Sequence, residues 1–186
     1  NKVNLEFEAA VAGGVPILRS IKEGLVSNKI SKLVGILNGT SNYILTQMEH
    51  TGKKFSEVLK EAQRSGYAET NPKNDLNGND VSSKIKILSS LCFRSLISDN
   101  KILTNGIENI EVKDINIAKK LGYRIKLLGI TEIINNSIFE RIHPSLVRTN
   151  SYIGNINGVF NAIIINGKPV GQSVMQGEGA GPGPTS

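Results

Sequence analysis

The feature that most constrains the fold is a pair of apolar stretches, residues 124–134 and 137–142, separated by Asn135 and Asn136. Asparagine tolerates the positive φ angles that a two-residue hairpin turn requires. The pattern therefore predicts two neighbouring antiparallel strands. Strands joined this tightly cannot run parallel, so the sheet that holds them is expected to be antiparallel or mixed.

A second hairpin is predicted near the carboxyl end of the chain. Residues 159–165 and 169–175 are again rich in apolar side chains, with Asn166 and Gly167 between them. An asparagine–glycine pair is a strong short-range signal for a hairpin turn. Residues 32–37 form a further apolar run, which predicts a strand earlier in the chain.

Helical periodicity dominates the first two thirds of the sequence. Apolar residues recur every three or four positions in several segments that begin at capping residues or end at glycines. The predicted helices are a short one through residues 21–25, one that opens at residues 38–41 and ends near Gly52, and three at residues 55–64, 78–93 and 112–121. We therefore expect an α+β fold of one domain, residues 1–186, in which a mixed, largely antiparallel sheet carries helices packed on one face.

Composition places the chain among ordinary globular proteins. Hydrophobic residues make up 39% and charged residues 20% of its 186 positions. The sequence has no apolar run long enough for a membrane-spanning helix and no pattern typical of a secretory signal peptide. Its one cysteine, Cys92, cannot form an internal disulfide and fits a reducing compartment, so we expect a cytoplasmic location without a membrane partner.

A nucleic-acid partner is not expected, in spite of a net charge of +6. The 22 lysines and arginines are scattered, with adjacent pairs only at residues 53–54 and 119–120. Aromatic residues, which would stack on exposed bases, make up 5% of the sequence. The positive charge is better suited to a weak attraction for small anionic ligands.

A polar segment at residues 66–84 is the strongest candidate for a functional site. It places three carboxylates and one amine, from Glu69, Asp75, Asp80 and Lys84, in a short stretch that is rich in turn formers. Asp80 and Lys84 are one helical turn apart, so their side chains are expected to face the same way.

The helical wheel of residues 78–93 places this pair beside a buried stripe. The predicted core face consists of Val81, Ile85, Leu88 and Cys92, and the predicted solvent face of Ser82, Ser83, Lys86, Ser89 and Ser90. The Asp80–Lys84 pair could be an ordinary surface ion pair worth about 0.3–0.5 kcal/mol. A lysine at the edge of buried space could instead donate a proton or stabilise developing negative charge.

Four motifs, in order along the chain, make it resemble the homoserine dehydrogenases. They are Phe-Glu-Ala-Ala-Val-Ala-Gly-Gly-Val-Pro-Ile at residues 7–17, Gly-Ile-Leu-Asn-Gly-Thr-Ser-Asn-Tyr-Ile at residues 35–44, the polar segment at residues 66–84, and Gly-Glu-Gly-Ala-Gly at residues 177–181. Each glycine motif alone is a weak signal. The long polar segment with correctly ordered flanking motifs is specific, and the resemblance extends over essentially the whole chain.

The resemblance implies an oxidoreductase that uses NAD(P)H to reduce L-aspartate 4-semialdehyde to L-homoserine, on the route to threonine, methionine and isoleucine. By this resemblance Lys84 is the catalytic acid/base, which donates a proton to the aldehyde oxygen. Asp80 orients that lysine, and Asp75 and Glu69 surround the ammonium group of the substrate. A preorganised cation that meets a developing alkoxide is a coherent arrangement for this reaction.

The resemblance implies three further sets of residues. The substrate pocket is completed by Asn38, Gly39, Thr40 and Tyr67. The cofactor is contacted by Glu69, Gly179 and Gly181. A monovalent cation, Na⁺ or K⁺, is bound by backbone oxygens of Glu8, Val11, Gly13 and Val15. The family also implies a homodimer that forms through the sheet.

Three departures from the family pattern stand out. Asn74 occupies a position where relatives commonly carry an acid, and Glu178 places a charge in a turn that usually holds small neutral residues. No Gly-x-Gly-x-x-Gly motif is present, so the family's nucleotide-binding Rossmann segments are expected to flank this chain at both ends. The isolated chain is then expected to be inactive or nearly so.

Two alternatives remain open at this point. The chain could be the substrate domain of another dehydrogenase of the aspartate pathway. It could also be a non-catalytic dimerisation module that has kept the fold. The set of Glu69, Asp75, Asp80 and Lys84 argues against the second alternative, because a dimerisation module has no use for all four side chains.

Overall fold

The computed structural model describes residues 7–95 and 102–180, which form a six-stranded sheet with helices on one face. The strands are β1 (Lys29–Ile36), β2 (Leu103–Thr104), β3 (Tyr123–Ile134), β4 (Ser137–Arg148), β5 (Phe160–Lys168) and β6 (Gly171–Glu178). Their order in the sheet is β2-β4-β3-β1-β5-β6. The pairing of β2 with β4 is parallel and the other pairings are antiparallel, which confirms the predicted α+β class with a mixed, largely antiparallel sheet.

The first predicted hairpin is confirmed and is longer than expected. Asn135 and Asn136 have φ angles of 49° and 63°, and they join β3 to β4. The return strand continues past the predicted end at residue 142, through Pro144, as far as Arg148. Proline is tolerated there because β4 is paired with β2 only at residues 141–142 within the described part of the chain, so its far side is an edge.

The predicted turn of the second hairpin is wrong. Asn166 and Gly167 lie inside β5, and the chain reverses instead at Pro169 and Val170. Two features of the structure explain the shift. Pairing with β1 keeps β5 extended as far as Lys168, and Gly171, with a φ of 75°, supplies the positive backbone angle of the turn.

The predicted helices are present with small changes at their ends. They are α1 (Ile17–Arg19), which continues as a π-helical turn (Ser20–Gly24), α2 (Gly39–Thr51), α3 (Phe55–Arg64), α4 (Lys73–Leu76), α5 (Asn79–Phe93) and α6 (Val112–Lys120). The short helix α4 lies within the polar segment and was not expected. Gly52, with a φ of 70°, ends α2 as predicted.

The main core lies between the helices and one face of the sheet. Val81, Ile85 and Leu88 of α5 are fully buried there, and Gly129 of β3 lets α5 approach closely, because a Cβ on it would lie 2.6 Å from Ile85. Cys92 packs at the margin of this core, and burial raises the pKa of its thiol to about 12. A thiol with so high a pKa is a packing group rather than a nucleophile.

The solvent face predicted for α5 is wrong at one position. Ser89 is buried, and its Oγ accepts a hydrogen bond of 2.9 Å from the hydroxyl of Thr131 in β3. The wheel assigned Ser89 to solvent because of its polarity. The sheet covers that side of the helix, and the paired hydroxyls satisfy each other in the core.

The opposite face of the sheet carries a smaller apolar cluster. Its buried members are Ile36, Leu128, Ile130, Ile153, Ile156 and Ala162. Ile153 belongs to a 3₁₀ turn, Ile153–Asn155, that covers part of this face. Phe139 and Phe160, on the same face, stay exposed. None of the helices within residues 7–95 and 102–180 has the length and hydropathy that a membrane crossing requires.

Candidate active site

The junction between β1 and α2 forms the centre of the site. Asn38, the N-cap residue of α2, is buried, and its Oδ1 accepts a hydrogen bond of 2.8 Å from the backbone N–H of Ser41. Its Nδ2 donates to Asp75 at 2.8 Å and to Asp80 at 2.9 Å. One capped helix start therefore holds two carboxylates of the polar segment in fixed positions.

Asp80 and Lys84 form an ion pair on α5, as their spacing predicts. The Lys84 Nζ donates to the Asp80 Oδ2 at 2.8 Å and to the backbone oxygen of Leu37 at 3.0 Å. The exposed fractions of the two side chains are 20% for Lys84 and 29% for Asp80. The pair thus lies at the edge of buried space rather than on an open surface. Two of the three ammonium N–H groups are used, which leaves one for a ligand oxygen.

The loop between α3 and α5 is tied to the start of α2 by two hydroxyl groups. Ser41 donates from its Oγ to the backbone oxygen of Asp75 at 2.7 Å, and Thr40 donates from its Oγ1 to the backbone oxygen of Tyr67 at 3.0 Å. The ring of Tyr67 stacks on Tyr43 with 4.4 Å between centroids. These contacts bring the motif at residues 35–44 and the polar segment at residues 66–84 together in space.

A cavity of about 460 Å³ lies where these elements meet. Its lining residues are Asn38, Gly39, Thr40, Gly66, Tyr67, Glu69, Asp75, Asp80, Lys84, Val159, Gly179 and Ala180. We call this cavity the active-site pocket. It brings together every residue predicted for catalysis and substrate binding, and two of the three predicted cofactor contacts, Glu69 and Gly179. The third, Gly181, lies outside the described residues.

Sequence reasoning missed Val159, which reaches the pocket from the turn before β5. Its backbone oxygen would lie only 2.8 Å from a Cβ on Gly39, so the two chain segments touch at the pocket. No local signal could have indicated this contact, because the two residues are distant in the sequence and neither belongs to a motif that implies the other. Only the pairing of β5 with β1 brings them together.

The charges of the active-site pocket suit a zwitterionic ligand. Glu69, Asp75 and Asp80 supply three carboxylates, and Lys84 supplies one ammonium group. The Asp80 carboxylate is already paired with Lys84 and Asn38, whereas Glu69 is exposed. The pocket can therefore attract an ammonium group at its acidic side and present an N–H donor to an oxygen beside Lys84.

The predicted cation loop lies next to the end of β6 and outside the lining of the active-site pocket. Ala12 and Gly13 have φ angles of 61° and 53°, so the backbone turns sharply there. The N–H of Gly14 donates to the backbone oxygen of Glu178 at 3.2 Å, and a Cβ on Gly13 would lie 2.6 Å from the backbone oxygen of Gly179. The loop is thus fixed against the end of β6 and against Gly179, a predicted cofactor contact that directly follows this strand.

Glu8 has a definite role in this loop through its carboxylate. Its two oxygens accept hydrogen bonds from the backbone N–H groups of Leu18 at 2.7 Å and Arg19 at 2.8 Å. The carboxylate therefore caps the start of α1. The predicted cation ligand is instead the Glu8 backbone oxygen, which also accepts a hydrogen bond of 3.3 Å from the N–H of Val11. In the described part of the chain, no group of three or more His, Cys, Asp or Glu side chains could hold a metal ion. A site built from carbonyl oxygens fits a weakly bound monovalent cation better than a divalent transition metal.

The departure at Glu178 does not disturb the active-site pocket. Its side chain is exposed and is not part of the pocket lining. Asn74 is likewise exposed and absent from the pocket lining, but it lines an adjoining cavity that shares Glu69, Asp75 and Asp80 with the pocket. The local charge is one unit less negative than an acid at that position would make it, but the geometry of Asp75 is held by Asn38 and Ser41.

Comparison with known proteins identifies the family. The family model of homoserine dehydrogenase matches residues 16–186. This chain belongs to the homoserine dehydrogenase family. The homoserine dehydrogenases of Neisseria gonorrhoeae and Helicobacter pylori are 45% identical over 184 residues and 46% identical over 180 residues. These alignments cover 99% and 97% of this chain but 42% and 43% of the two relatives, so the chain spans less than half of their length.

Solved structures of homoserine dehydrogenases have the same fold. A homoserine dehydrogenase from Thiobacillus denitrificans superposes with a TM-score of 0.94 at 46% identity, over 96% of this chain and 42% of that protein. A hyperthermophilic archaeal homoserine dehydrogenase mutant in complex with NADPH superposes with a TM-score of 0.80 at 24% identity, over 96% of this chain and 51% of that protein. At that identity the second likeness concerns the fold alone.

Proposed function

We propose that residues 1–186 are the catalytic and dimerisation domain of an enzyme that reduces L-aspartate 4-semialdehyde to L-homoserine with NAD(P)H. The observation that carries the proposal is the position of Lys84. Its ammonium group is held by Asp80 and by the Leu37 backbone oxygen at the edge of a pocket that contains two further carboxylates. This arrangement supports reduction of a small amino aldehyde.

The proposed chemistry divides among the residues of the pocket. The cofactor, when bound, supplies the hydride that reaches the aldehyde carbon. Lys84 uses its free N–H to bind the aldehyde oxygen and gives its proton to the alkoxide that forms there. Asp80 keeps the ammonium group in place and stabilises its charge. Asp75 and Glu69 attract the ammonium group of the substrate, and Tyr67 and Thr40 close the pocket beside it.

The cofactor is proposed to contact the pocket at its glycine-rich end. Gly179 and Ala180 line the pocket together with Glu69, which is exposed. Gly181 belongs to the same segment and is proposed as a further contact. The Rossmann segments that hold the rest of the dinucleotide are proposed to belong to the parts of the full-length protein that flank this chain. Membership of the homoserine dehydrogenase family supports this class of cofactor.

The decisive test is a Lys84→Ala variant of the full-length protein that contains this chain, with Lys86→Ala on the same helix as the matched control. We expect turnover of the Lys84 variant to fall by about 10²–10⁴-fold, because general acid catalysis contributes on that scale. Cofactor binding should persist in both variants. Unchanged turnover would remove Lys84 from the mechanism.

A substrate panel separates the proposed activity from the alternatives. The full-length protein should reduce L-aspartate 4-semialdehyde and oxidise L-homoserine in preference to related aldehydes and alcohols. Preference for another substrate would favour a different aspartate-pathway dehydrogenase. A folded protein that binds no NAD(P)H and reduces none of these aldehydes would favour a non-catalytic dimerisation module.

A monovalent cation is proposed to bind the loop at residues 8–15, through backbone oxygens of Glu8, Val11, Gly13 and Val15. Two observations support it: the consecutive positive φ angles at Ala12 and Gly13, and the use of the Glu8 carboxylate elsewhere. Exchange of Na⁺ or K⁺ for choline at constant ionic strength should lower the melting temperature of the full-length protein. Identical melting curves in all three cations would contradict the site.

A cytoplasmic homodimer is proposed. Its interface is the face of the sheet opposite the helices, which carries the smaller apolar cluster and which we call the open face. Phe139 and Phe160 are exposed on that face, beside the smaller apolar cluster. Exposed apolar surface of this kind is a common mark of an interaction site. Equilibrium sedimentation of the full-length protein tests the dimer, and a monomeric mass at micromolar concentration would exclude it.

A further inference from the structure

Lys126, in the middle of β3, is the one fully buried charged side chain within residues 7–95 and 102–180. Its exposed fraction is 1%. Burial lowers the pKa of its ammonium group to about 8. A buried ammonium group destabilises a fold unless its N–H groups donate hydrogen bonds, so the acceptors of Lys126 indicate its role.

Each of the three N–H groups of Lys126 has an acceptor. The Nζ lies 3.0 Å from the Oδ1 of Asn42 in α2, 2.5 Å from the backbone oxygen of Ile156 and 3.3 Å from the Oδ1 of Asn157. None of these acceptors is a carboxylate. The ammonium group therefore joins β3 and α2 to the chain segment that leads into β5.

Residues 156–160, which we call the β5 entry segment, depend on the same group of contacts. Asn42 donates from its Nδ2 to the backbone oxygens of Ile156, Gly158 and Phe160, at 3.2, 2.9 and 3.3 Å. Thr46 accepts a hydrogen bond of 3.2 Å from the N–H of Gly158. Lys126 fixes the Oδ1 of Asn42 and thereby orients the Nδ2 toward the segment.

The β5 entry segment includes Val159, which lines the active-site pocket opposite the start of α2. The contact between the Val159 backbone oxygen and Gly39 leaves no space for even a methyl group. A shift of the segment would therefore move the lining of the pocket beside Asn38, Gly39 and Thr40. Lys126 itself does not line the pocket.

We infer that Lys126 is a positioning residue for substrate binding, which acts through Asn42 to hold the β5 entry segment and Val159 against the substrate side of the pocket. The inference rests on the proposed function, because it assigns the pocket to the substrate. It adds a residue outside the four motifs to those that determine the affinity for the substrate.

Arg124, two residues earlier on β3, provides a matched control. It also reaches across to the 3₁₀ turn, through hydrogen bonds of 2.9 Å to the Gly154 backbone oxygen and the Asn155 Oδ1, and it pairs with Glu49 of α2 at 3.0 Å. These contacts end before the β5 entry segment begins. An Arg124→Met variant thus removes comparable hydrogen bonds from the same strand and keeps the contacts of Lys126 and Asn42 that position Val159.

The test compares Lys126→Met and Arg124→Met variants of the full-length protein in steady-state kinetics. We expect the KM for L-homoserine to rise about tenfold in the Lys126 variant with kcat reduced by less than about threefold, since lost positioning weakens binding more than proton transfer. The Arg124 variant should keep its KM within about twofold of the unsubstituted protein. A Lys126 variant that loses stability or active fraction but keeps its KM would overturn the inference.

Two further measurements cover the case of a poorly folded variant and separate this inference from the proposed function. Asn42→Ala should raise the KM in the same way, and its effect should not add to that of Lys126→Met in the double variant. Additive effects would contradict action through Asn42. Amide hydrogen exchange of the β5 entry segment should accelerate in the Lys126 variant but not in the Arg124 variant, whatever substrate the enzyme uses. Equal exchange in the two variants would overturn the inference even if the unsubstituted protein proved to be a homoserine dehydrogenase.

Discussion

Asn38 donates a hydrogen bond of 2.9 Å to Oδ2 of Asp80, the same atom that accepts a hydrogen bond of 2.8 Å from the ammonium group of Lys84. The helix cap and the ion pair are therefore one connected network. Asn38 also holds Asp75, so a single buried amide fixes two of the three carboxylates in the pocket. This connection makes the start of α2 part of the machinery that sets the position of Lys84.

Asn38→Ala should impair catalysis more than it impairs folding. Loss of the cap is expected to cost about 1 kcal/mol of stability. Release of the two carboxylates should lower kcat by about tenfold to a hundredfold, because small misplacements of catalytic groups have effects of that size. Steady-state kinetics and chemical denaturation of the full-length protein measure both quantities. Asn109→Ala, at an exposed position outside the pocket, is the control, and an equal effect of both substitutions would contradict the prediction.

Gly39→Ala should disturb the pocket by steric conflict. A Cβ at this position would lie 2.8 Å from the backbone oxygen of Val159, which cannot move without shifting the β5 entry segment. Forced overpacking of this kind costs about 1–3 kcal/mol. We expect a lower melting temperature and a raised KM for L-homoserine. Gly24→Ala, where a Cβ would meet nothing within 4 Å, should leave the KM unchanged and should not lower the melting temperature.

The stability of the fold should depend on pH through Lys126. In the folded protein the pKa of this lysine is lowered to about 8 from an ordinary value of 10.5. Between these two pH values the unfolded chain binds more protons than the folded one, so the free energy of unfolding rises with pH. The rise should approach about 3 kcal/mol at most.

Urea denaturation between pH 7 and pH 10.5 tests this dependence, with Lys126→Met as the reference that lacks the titrating group. The stability of the unsubstituted protein should increase relative to that of the variant as the pH passes about 8. Two curves that stay parallel over the whole range would show that the lysine is not perturbed by burial.

Phe139→Glu should dissociate the proposed homodimer. Phe139 is 47% exposed on the open face of the sheet, so a carboxylate there would remove apolar contact area from the proposed interface and place an unpaired charge in it. Light scattering should report a shift toward the monomer mass. Val26→Glu, at a position that is 54% exposed before β1, should leave the mass unchanged. A dimer that survives Phe139→Glu would place the interface elsewhere.

The sequence determined most of the local structure, and its motifs predicted most of the residues that line the pocket. Turn residues, helix ends and amphipathic periodicity depend on residues that are neighbours in the sequence. The turn at residues 135–136, the end of α2 at Gly52 and most of α5 could therefore be predicted from the sequence. The motifs also named every carboxylate of the pocket. Asp80 and Lys84 could be paired because one helical turn fixes their relative positions.

Only the tertiary structure decided how distant segments meet. The turn at Asn166 and Gly167 failed because pairing with β1 extends β5 past a locally favourable turn sequence. Ser89 was misplaced because its polarity suggested solvent, whereas the sheet covers that side of the helix. The same reason explains why Val159 and Lys126 were missed. Periodicity and turn chemistry act over a few residues, whereas the contacts that hold Lys84, Asn38 and the β5 entry segment join parts of the chain whose proximity is set by the order of the strands.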